Sequence, residues 1–92
     1  MDIKVVKRNG KIETFDPEKI IRVLKAAGLD QVEAEKLTAK IINWLNERAK
    51  SQVTSLQIRD RVIIEIQKVD RAAAERFISY EKYKDKNYEV NY

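Results

Sequence analysis

The stretch that decides the fold is Val5-Val6-Lys7-Arg8-Asn9-Gly10-Lys11-Ile12-Glu13-Thr14-Phe15-Asp16-Pro17-Glu18-Lys19-Ile20. Asn9-Gly10 stands between two alternating, β-branched runs, which is the strongest short-range signal for a β-hairpin with a two-residue type I′ turn. Asp16 offers an N-cap oxygen and Pro17 a preset φ at the first helical position, so the second strand leads almost directly into a helix. The sequence therefore predicts a hairpin over residues 3–15 followed at once by a helix.

Downstream of Pro17, apolar residues recur at helical spacing in four segments, residues 17–27, 31–49, 55–69 and 71–86. Capping residues mark their ends: Gly28 follows the first segment, and Asp30, Thr54 and Asp70 precede the other three. Val53 offers a third short strand. An isolated hairpin is marginal in water and must lie on the helices. We expect an α+β fold in which a small hairpin, or a three-stranded sheet, caps a four-helix bundle, with residues 1–92 forming a single domain.

Composition excludes several classes of chemistry. The 92 residues include no cysteine and no histidine, which removes disulfides, zinc fingers, thiol nucleophiles and imidazole acid-base catalysis. No glycine-rich phosphate loop and no tight carboxylate cluster is present, so we expect no phosphoryl transfer and no enzyme activity. No apolar run reaches the roughly 20 residues of a membrane span. A soluble, cytoplasmic protein is expected, and the net charge of +4 favours anionic partners.

Lys7, Arg8 and Lys19 are the first candidates for a binding site. The strand-to-helix corner should gather these cations near exposed helix N–H groups, and a phosphate chain requires that combination. Lys19 also lies in the first helical turn, where a cation opposes the helix dipole unless an anion binds there. The alternative for Lys7 and Arg8 is a charged, solvated hairpin tip.

Two further pairs have the right chemistry for a nucleotide. Tyr80 and Lys84 are spaced i, i+4 on the last helix, which places an aromatic ring one turn from an ammonium. Glu13 and Asp16 could accept hydrogen bonds from an adenine amino group or a ribose hydroxyl. The alternatives are a core position for Tyr80, a cross-strand pair for Glu13 and a helix cap for Asp16. Arg59, early in the third helix, is a further candidate, and its alternative is a surface ion pair with Asp60.

The ordered set of segments resembles the ATP-cone, the nucleotide-sensing module of many ribonucleotide reductases and of their bacterial repressor. The resemblance is carried by Val5-Val6-Lys7-Arg8-Asn9-Gly10, Phe15-Asp16-Pro17-Glu18-Lys19-Ile20, Val53-Thr54-Ser55 with Ile58, and Ala74-Glu75-Arg76-Phe77-Ile78-Ser79-Tyr80. It spans nearly the whole chain. It implies a four-helix bundle topped by a small sheet, and ATP or dATP as the ligand, with or without Mg²⁺.

The resemblance also assigns a role to each matching position. On the base side, it implies that Val5 contacts the base, that Glu13 and Asp16 lie near the adenine amino group, and that Lys19 closes this side. It implies phosphate contacts for Lys7 and Arg8, and positions near ribose and phosphate for Ser55 and Arg59. Tyr80 and Lys84 match the aromatic-plus-cation pair of the last helix. The chain lacks the catalytic cysteines of a reductase and the zinc-ribbon cysteines of the repressor. We therefore expect the cone alone, acting on a ribonucleotide reductase, on another host protein, or within its own homo-oligomer.

Three functions remain open at this point. The first is a non-catalytic regulatory module that senses ATP or dATP. The second is a small basic nucleic-acid-binding domain with the third helix as its reading helix, which predicts a steeply salt-dependent DNA affinity. The third is a helical dimerisation module, which rests on the broad apolar face of the third helix and on Trp44.

Overall fold

The computed structural model describes the backbone of residues 3–48 and 50–87, and side chains as far as residue 81. The elements follow the order β1 (Lys4–Val6), β2 (Ile12–Thr14), α1 (Pro17–Ala26), α2 (Gln31–Glu47), β3 (Gln52–Thr54), α3 (Ser55–Val69) and α4 (Arg71–Asn87). The predicted α+β fold is confirmed, including the third strand. Helices α1 and α3 each pack on both α2 and α4, so the four helices close into a bundle.

The sheet has the strand order β2-β1-β3, with β1 antiparallel to β2 and parallel to β3. Val5 at the centre faces Glu13 on one side and Val53 on the other. Side chains along a strand alternate between faces, so these three residues share the face that lies toward the helices. The parallel pairing joins the hairpin to the segment that opens α3.

The hairpin turn lies one residue earlier than predicted. The Gly10 N–H donates to the Lys7 carbonyl at 2.9 Å, and the Lys7 N–H donates to the Lys11 carbonyl at 2.9 Å. Gly10 has φ +86°. This pattern is a three-residue loop, a turn followed by a left-handed residue, so the predicted two-residue type I′ turn is wrong. The Asn9 side chain supports the longer loop by accepting from the Lys11 N–H at 3.0 Å.

Each helix begins directly after a residue that caps it. Asp16 accepts from the Glu18 N–H, and Asp70 accepts from the first turn of α4. Complete capping boxes open α2, through Asp30 and Glu33, and α3, through Thr54 and Gln57. Each box satisfies two N–H groups that the helix itself leaves unpaired. These caps fix the positions at which the helices leave the sheet.

The core is formed by the inner face of the sheet and one stripe from each helix. Its largest fully buried side chains are Phe77, Ile20, Leu24, Leu37, Ile41, Leu45, Ile58, Ile66, Val5, Val53 and Val62. Two large side chains on α3 and α4 lie outside these stripes, since Val69 is 43% exposed and Tyr80 is 39% exposed. On α4 the position one turn after Phe77 belongs to Glu81, which is 3% exposed. The inner stripe of α4 thus continues at i+4 and not at i+3.

Trp44 does not offer an open apolar surface. The guanidinium of Arg48 lies 5.2 Å from the ring centroid and that of Arg61 lies 5.7 Å from it. The Arg48 contact is local to the end of α2, whereas the Arg61 contact joins α2 to α3, and Arg61 also contacts the buried carboxylate of Glu65 at 2.9 Å. The half-buried tryptophan is therefore part of a contact between two helices of the same chain, which removes one support of the dimerisation hypothesis.

Gly28 ends α1 and holds a conformation that other residues adopt with strain. Its φ is +108°, its N–H donates to the Lys25 carbonyl, and the next N–H, from Leu29, donates to Leu24. This is a Schellman motif with glycine in the left-handed position. The Arg76 guanidinium from α4 lies against Gly28 and donates to the Ala27 carbonyl at 2.6 Å.

Gly28→Ala is expected to lower the free energy of unfolding by about 1–2 kcal/mol, because an L-residue must take the left-handed conformation there. An added Cβ would also clash with Nη2 of Arg76, so that side chain must move. Urea unfolding followed by circular dichroism measures the loss. Ser79→Ala at an exposed site in α4 is the control; equal midpoints for the two variants would contradict the prediction.

Candidate nucleotide-binding site

Lys7 continues the inward-facing alternation of β1. Ile3 and Val5 are buried at 5% and 0% exposure, and Lys7 is the next residue on the same face. Its side chain is only 9% exposed. The strand therefore carries an ammonium to the helix-facing side of the sheet, where a lysine is rarely found unless it is paired.

Glu13 is the residue that pairs with it. The Lys7 ammonium lies 3.1 Å from Oε1 of Glu13, and the Lys19 ammonium from α1 lies 3.5 Å from Oε2. The hydrogen bond from Lys7, together with the charge of Lys19, holds the pKa of Glu13 below its ordinary value of 4.5. One carboxylate thus bridges two cations that are twelve residues apart in the chain.

Lys7 lies beside the start of α3. Val6 pairs with Thr54, the N-cap of α3, so the next residue of the hairpin, Lys7, follows directly after the point where the hairpin meets the start of α3. Ser55 is 1% exposed, and its Oγ has no hydrogen-bond partner among the described residues. The N-terminus of a helix carries partial positive charge and attracts anions. This end of the site therefore combines an ammonium, a hydroxyl and a helix N-terminus.

The predicted corner between the hairpin and α1 does not bring Lys7 and Arg8 beside the N-terminus of α1. Phe15 pairs with Ile3, so Asp16 and the start of α1 lie at the opposite end of the hairpin from Lys7 and Arg8. The helix N-terminus beside Lys7 is that of α3. Sequence reasoning chose α1 because it follows the hairpin directly, whereas the pairing of β3 brings α3 in from forty residues downstream. Lys19 still reaches the hairpin, through Glu13.

The site is elongated, with different chemistry at its two ends. Along the backbone, Glu13 is level with Val5, Lys7 lies two residues beyond Val5 toward the turn, and Asp16 lies three residues beyond Glu13 in the other direction, so Glu13 lies between them. Cations and N–H donors dominate one end. Carboxylates dominate the other, although Oδ1 of Asp16 already accepts from the Glu18 N–H at 3.0 Å.

Two predicted site residues on the hairpin have contrasting environments. Val5 has no exposed surface, so its side chain is a core residue beneath the site and touches no solvent. Arg8 is exposed within the turn, on the side of Lys7 away from the core. A role for Val5 in contacting a base remains a prediction, and so does the phosphate role of Arg8.

The remaining candidate residues lie on α3 and α4. Arg59 lies one turn into α3 from Ser55, contacts Asp60 at 3.5 Å and has a side chain that is 24% exposed. Tyr80 is 39% exposed on α4, contrary to the core position considered for it. Lys84 follows on α4, but its side chain lies outside the described residues. The roles of these three residues remain predictions.

Sequence reasoning missed Glu81, a carboxylate buried to 3% exposure on α4. Its spacing indicated burial, since Glu81 is i+4 from the buried Phe77. Its charge argued against a core position, so hydrophobic periodicity alone did not predict it. Among the described residues, no group of acidic side chains has the arrangement of a metal site, and no helix has the length and hydropathy of a membrane span.

The lowered pKa of Glu13 predicts an acid-dependent stability. The unfolded chain takes up a proton at Glu13 at higher pH than the folded chain does, so the bridge stabilises the fold above pH 4.5 and is lost as the pH falls below it. Glu13→Gln should lower Tm at pH 7, and its difference from the parent should shrink below pH 4.5. Differential scanning calorimetry from pH 3 to 7 measures this; a constant difference would contradict it.

Comparison with known proteins shows the family to which the chain belongs. A family model for the ATP cone domain matches residues 3–86. The chain is similar to the transcriptional repressor NrdR of Bdellovibrio bacteriovorus, at 33% identity over 88% of this chain and 44% of that protein. It is 36% identical to NrdR of Carboxydothermus hydrogenoformans, over 90% of this chain and 57% of that protein, and 37% identical to NrdR of a Geobacillus species, over 95% and 60%. The chain thus spans about half the length of these relatives. It belongs to the ATP-cone family.

Proposed function

We propose that this chain is a non-catalytic regulatory module that binds ATP or dATP and reports the bound nucleotide to a partner. The observation that carries the proposal is the Lys7–Glu13–Lys19 network beside the start of α3, in a chain that matches the ATP cone domain over residues 3–86. A nearly buried ammonium next to a buried, unsatisfied hydroxyl and a helix N-terminus favours a phosphate ligand.

The two ends of the site suit the two ends of a nucleotide. Phosphates would contact Lys7, Arg8 and Ser55, where cations and N–H groups collect. The base and ribose would lie toward Glu13 and Asp16, whose oxygens accept from amino and hydroxyl groups. Lys19 would close the base side, with Tyr80 and Lys84 contributing from α4 and Arg59 from α3. We propose no hydrolysis, and we leave open whether Mg²⁺ accompanies the phosphates.

The similarity to transcriptional repressors bears on the partner. We propose that nucleotide binding changes how this module assembles, either with copies of itself or with another protein, such as a ribonucleotide reductase or another host. In this proposal nucleic acid is the less favoured partner of the chain itself. We propose a cytoplasmic setting for this regulation.

Isothermal titration calorimetry with ATP, dATP and GTP tests the proposal, and light scattering with and without each nucleotide measures the mass. We expect both adenine nucleotides to bind more tightly than GTP. Absence of binding to ATP and dATP at millimolar concentration would refute the nucleotide site. Salt-dependent binding to DNA without nucleotide binding would favour the nucleic-acid hypothesis, and a dimer that ignores nucleotide would favour the dimerisation module.

A further inference from the structure

Glu13 occupies the groups that a phosphate chain needs. Its two carboxylate oxygens lie 3.1 Å from the Lys7 ammonium and 3.5 Å from that of Lys19. The Lys7 side chain is 9% exposed, so water screens this pair less than it screens a surface ion pair. Any anion that binds the Lys7 ammonium therefore comes close to the negative charge of Glu13.

A bare polyphosphate is therefore a poor ligand for this arrangement. Whether it shares the three N–H donors of the Lys7 ammonium with Glu13 or replaces Glu13 there, it offers the carboxylate nothing, because it presents oxygen acceptors alone. The two negative charges would then lie close together in a partly buried site, which raises the free energy of the complex. Lys19 lowers this cost only in part, since its contact with Glu13 is the longer of the two.

A ligand that also carries a hydrogen-bond donor removes this obstacle. Glu13 is 36% exposed and lies near the middle of the site, so its carboxylate can turn toward a donor while Lys19 continues to hold it. We propose that Glu13 makes phosphate binding at Lys7 conditional on such a donor, an amino or hydroxyl group of the same ligand, which draws the carboxylate away and leaves the ammonium for phosphate. Recognition of the two ends of the ligand is thereby coupled.

This inference rests on the proposed function, and it selects a ligand class. The site accepts anions in which a hydrogen-bond donor is separated from the phosphates by about the length of a nucleoside. It rejects inorganic polyphosphates, which have no such donor. The coupling is reciprocal, as linkage requires: a donor fragment must improve the binding of a phosphate fragment and the reverse. The two fragments can be supplied separately, as adenosine and tripolyphosphate.

The experiment titrates tripolyphosphate into the parent chain, Glu13→Gln and Glu18→Gln, each with and without saturating adenosine. Glu18 is an exposed carboxylate in the first turn of α1 and controls for the loss of one negative charge. We expect Glu13→Gln to bind tripolyphosphate about 10-fold more tightly than the parent, a typical size for coupling, and Glu18→Gln to change it less than about 2-fold. Adenosine should tighten tripolyphosphate binding in the parent and in Glu18→Gln, but not in Glu13→Gln.

Equal tripolyphosphate affinities for the parent and Glu13→Gln would overturn the inference, as would equal effects of adenosine on both, or no binding of tripolyphosphate to Glu13→Gln at millimolar concentration. Thermal unfolding of each variant verifies that it is folded. A parallel ATP titration of the parent separates this result from the proposed function, because ATP can bind whether or not Glu13 couples the two ends. Failure of the parent to bind ATP would instead overturn the proposed function.

Discussion

Phe77→Ala is expected to lower the free energy of unfolding by about 3–5 kcal/mol. Phe77 is 1% exposed and is among the largest buried side chains of the core, where α4 packs on α3 and α1. Removing the ring loses its transfer free energy and leaves a cavity that the closed bundle cannot easily fill. A domain of this size has about 5–15 kcal/mol in total, so the variant loses a large share of its stability. Urea unfolding followed by circular dichroism measures the change in midpoint.

Tyr80→Ala is the matched control, an aromatic residue truncated on the same helix. Tyr80 is 39% exposed, and we expect a loss of at most about 1 kcal/mol. Helix propensity barely distinguishes the two substitutions, because alanine replaces an aromatic residue in both cases. Equal losses for the two variants would mean that the inner face of α4 has been assigned to the wrong residues.

The helices could be read from the sequence because their signals are local. Thr54 with Gln57, and Asp30 with Glu33, form capping boxes within four residues of chain, and both boxes are present in the structure. The i+3 and i+4 alternatives are harder to separate on a helix such as α4, where Tyr80 and Glu81 compete for one inner position. Hydrophobicity favoured the tyrosine there, whereas helical geometry placed the glutamate inside.

The Asn9-Gly10 sequence is compatible with two different hairpin turns. Asn9-Gly10 fits a two-residue turn, but it also fits a three-residue loop in which Gly10 alone takes the left-handed conformation. Short-range statistics favour the first. The structure has the second, which lets Lys7 pair with Lys11 and keeps Lys7 in step with Val5 on the inner face. Because Lys7 and Val5 lie on the same face of the hairpin, it is Lys7 that contacts Glu13.

Only the features of the site that depend on residues close together in the sequence could be predicted. The alternation of Ile3, Val5 and Lys7 is a local signal for the inner face, but the sequence-based prediction placed Lys7 with Arg8 and Lys19 at the corner before α1. The start of α3 near Lys7 depends on the parallel pairing of β1 with the three-residue strand β3, which is a tertiary contact without a local signal. Composition could suggest a phosphate site, but it could not say which of the four helix N-termini would lie beside it.

Lys7→Ala is expected to weaken ATP and dATP binding by about 1.5–3 kcal/mol, or roughly 10–150-fold, if the ammonium makes a charge-assisted bond to phosphate. Arg8→Ala should fall in the same range if its guanidinium does so too. The loss for Lys7 should be the larger, because its removal also leaves Glu13 without the partner at 3.1 Å, and the released carboxylate then repels the phosphates. Isothermal titration calorimetry at fixed salt measures each affinity.

Lys11→Ala is the control for this series, since it removes one exposed lysine from the same hairpin loop. A general attraction between a basic surface and an anion would respond similarly to Lys7 and Lys11, and it would fade for both as salt rises. A specific phosphate contact responds to Lys7 far more strongly and persists at higher salt, because Lys7 is 9% exposed. Unchanged affinity in both Lys7→Ala and Arg8→Ala, with the fold intact by circular dichroism, would place the nucleotide elsewhere on the molecule.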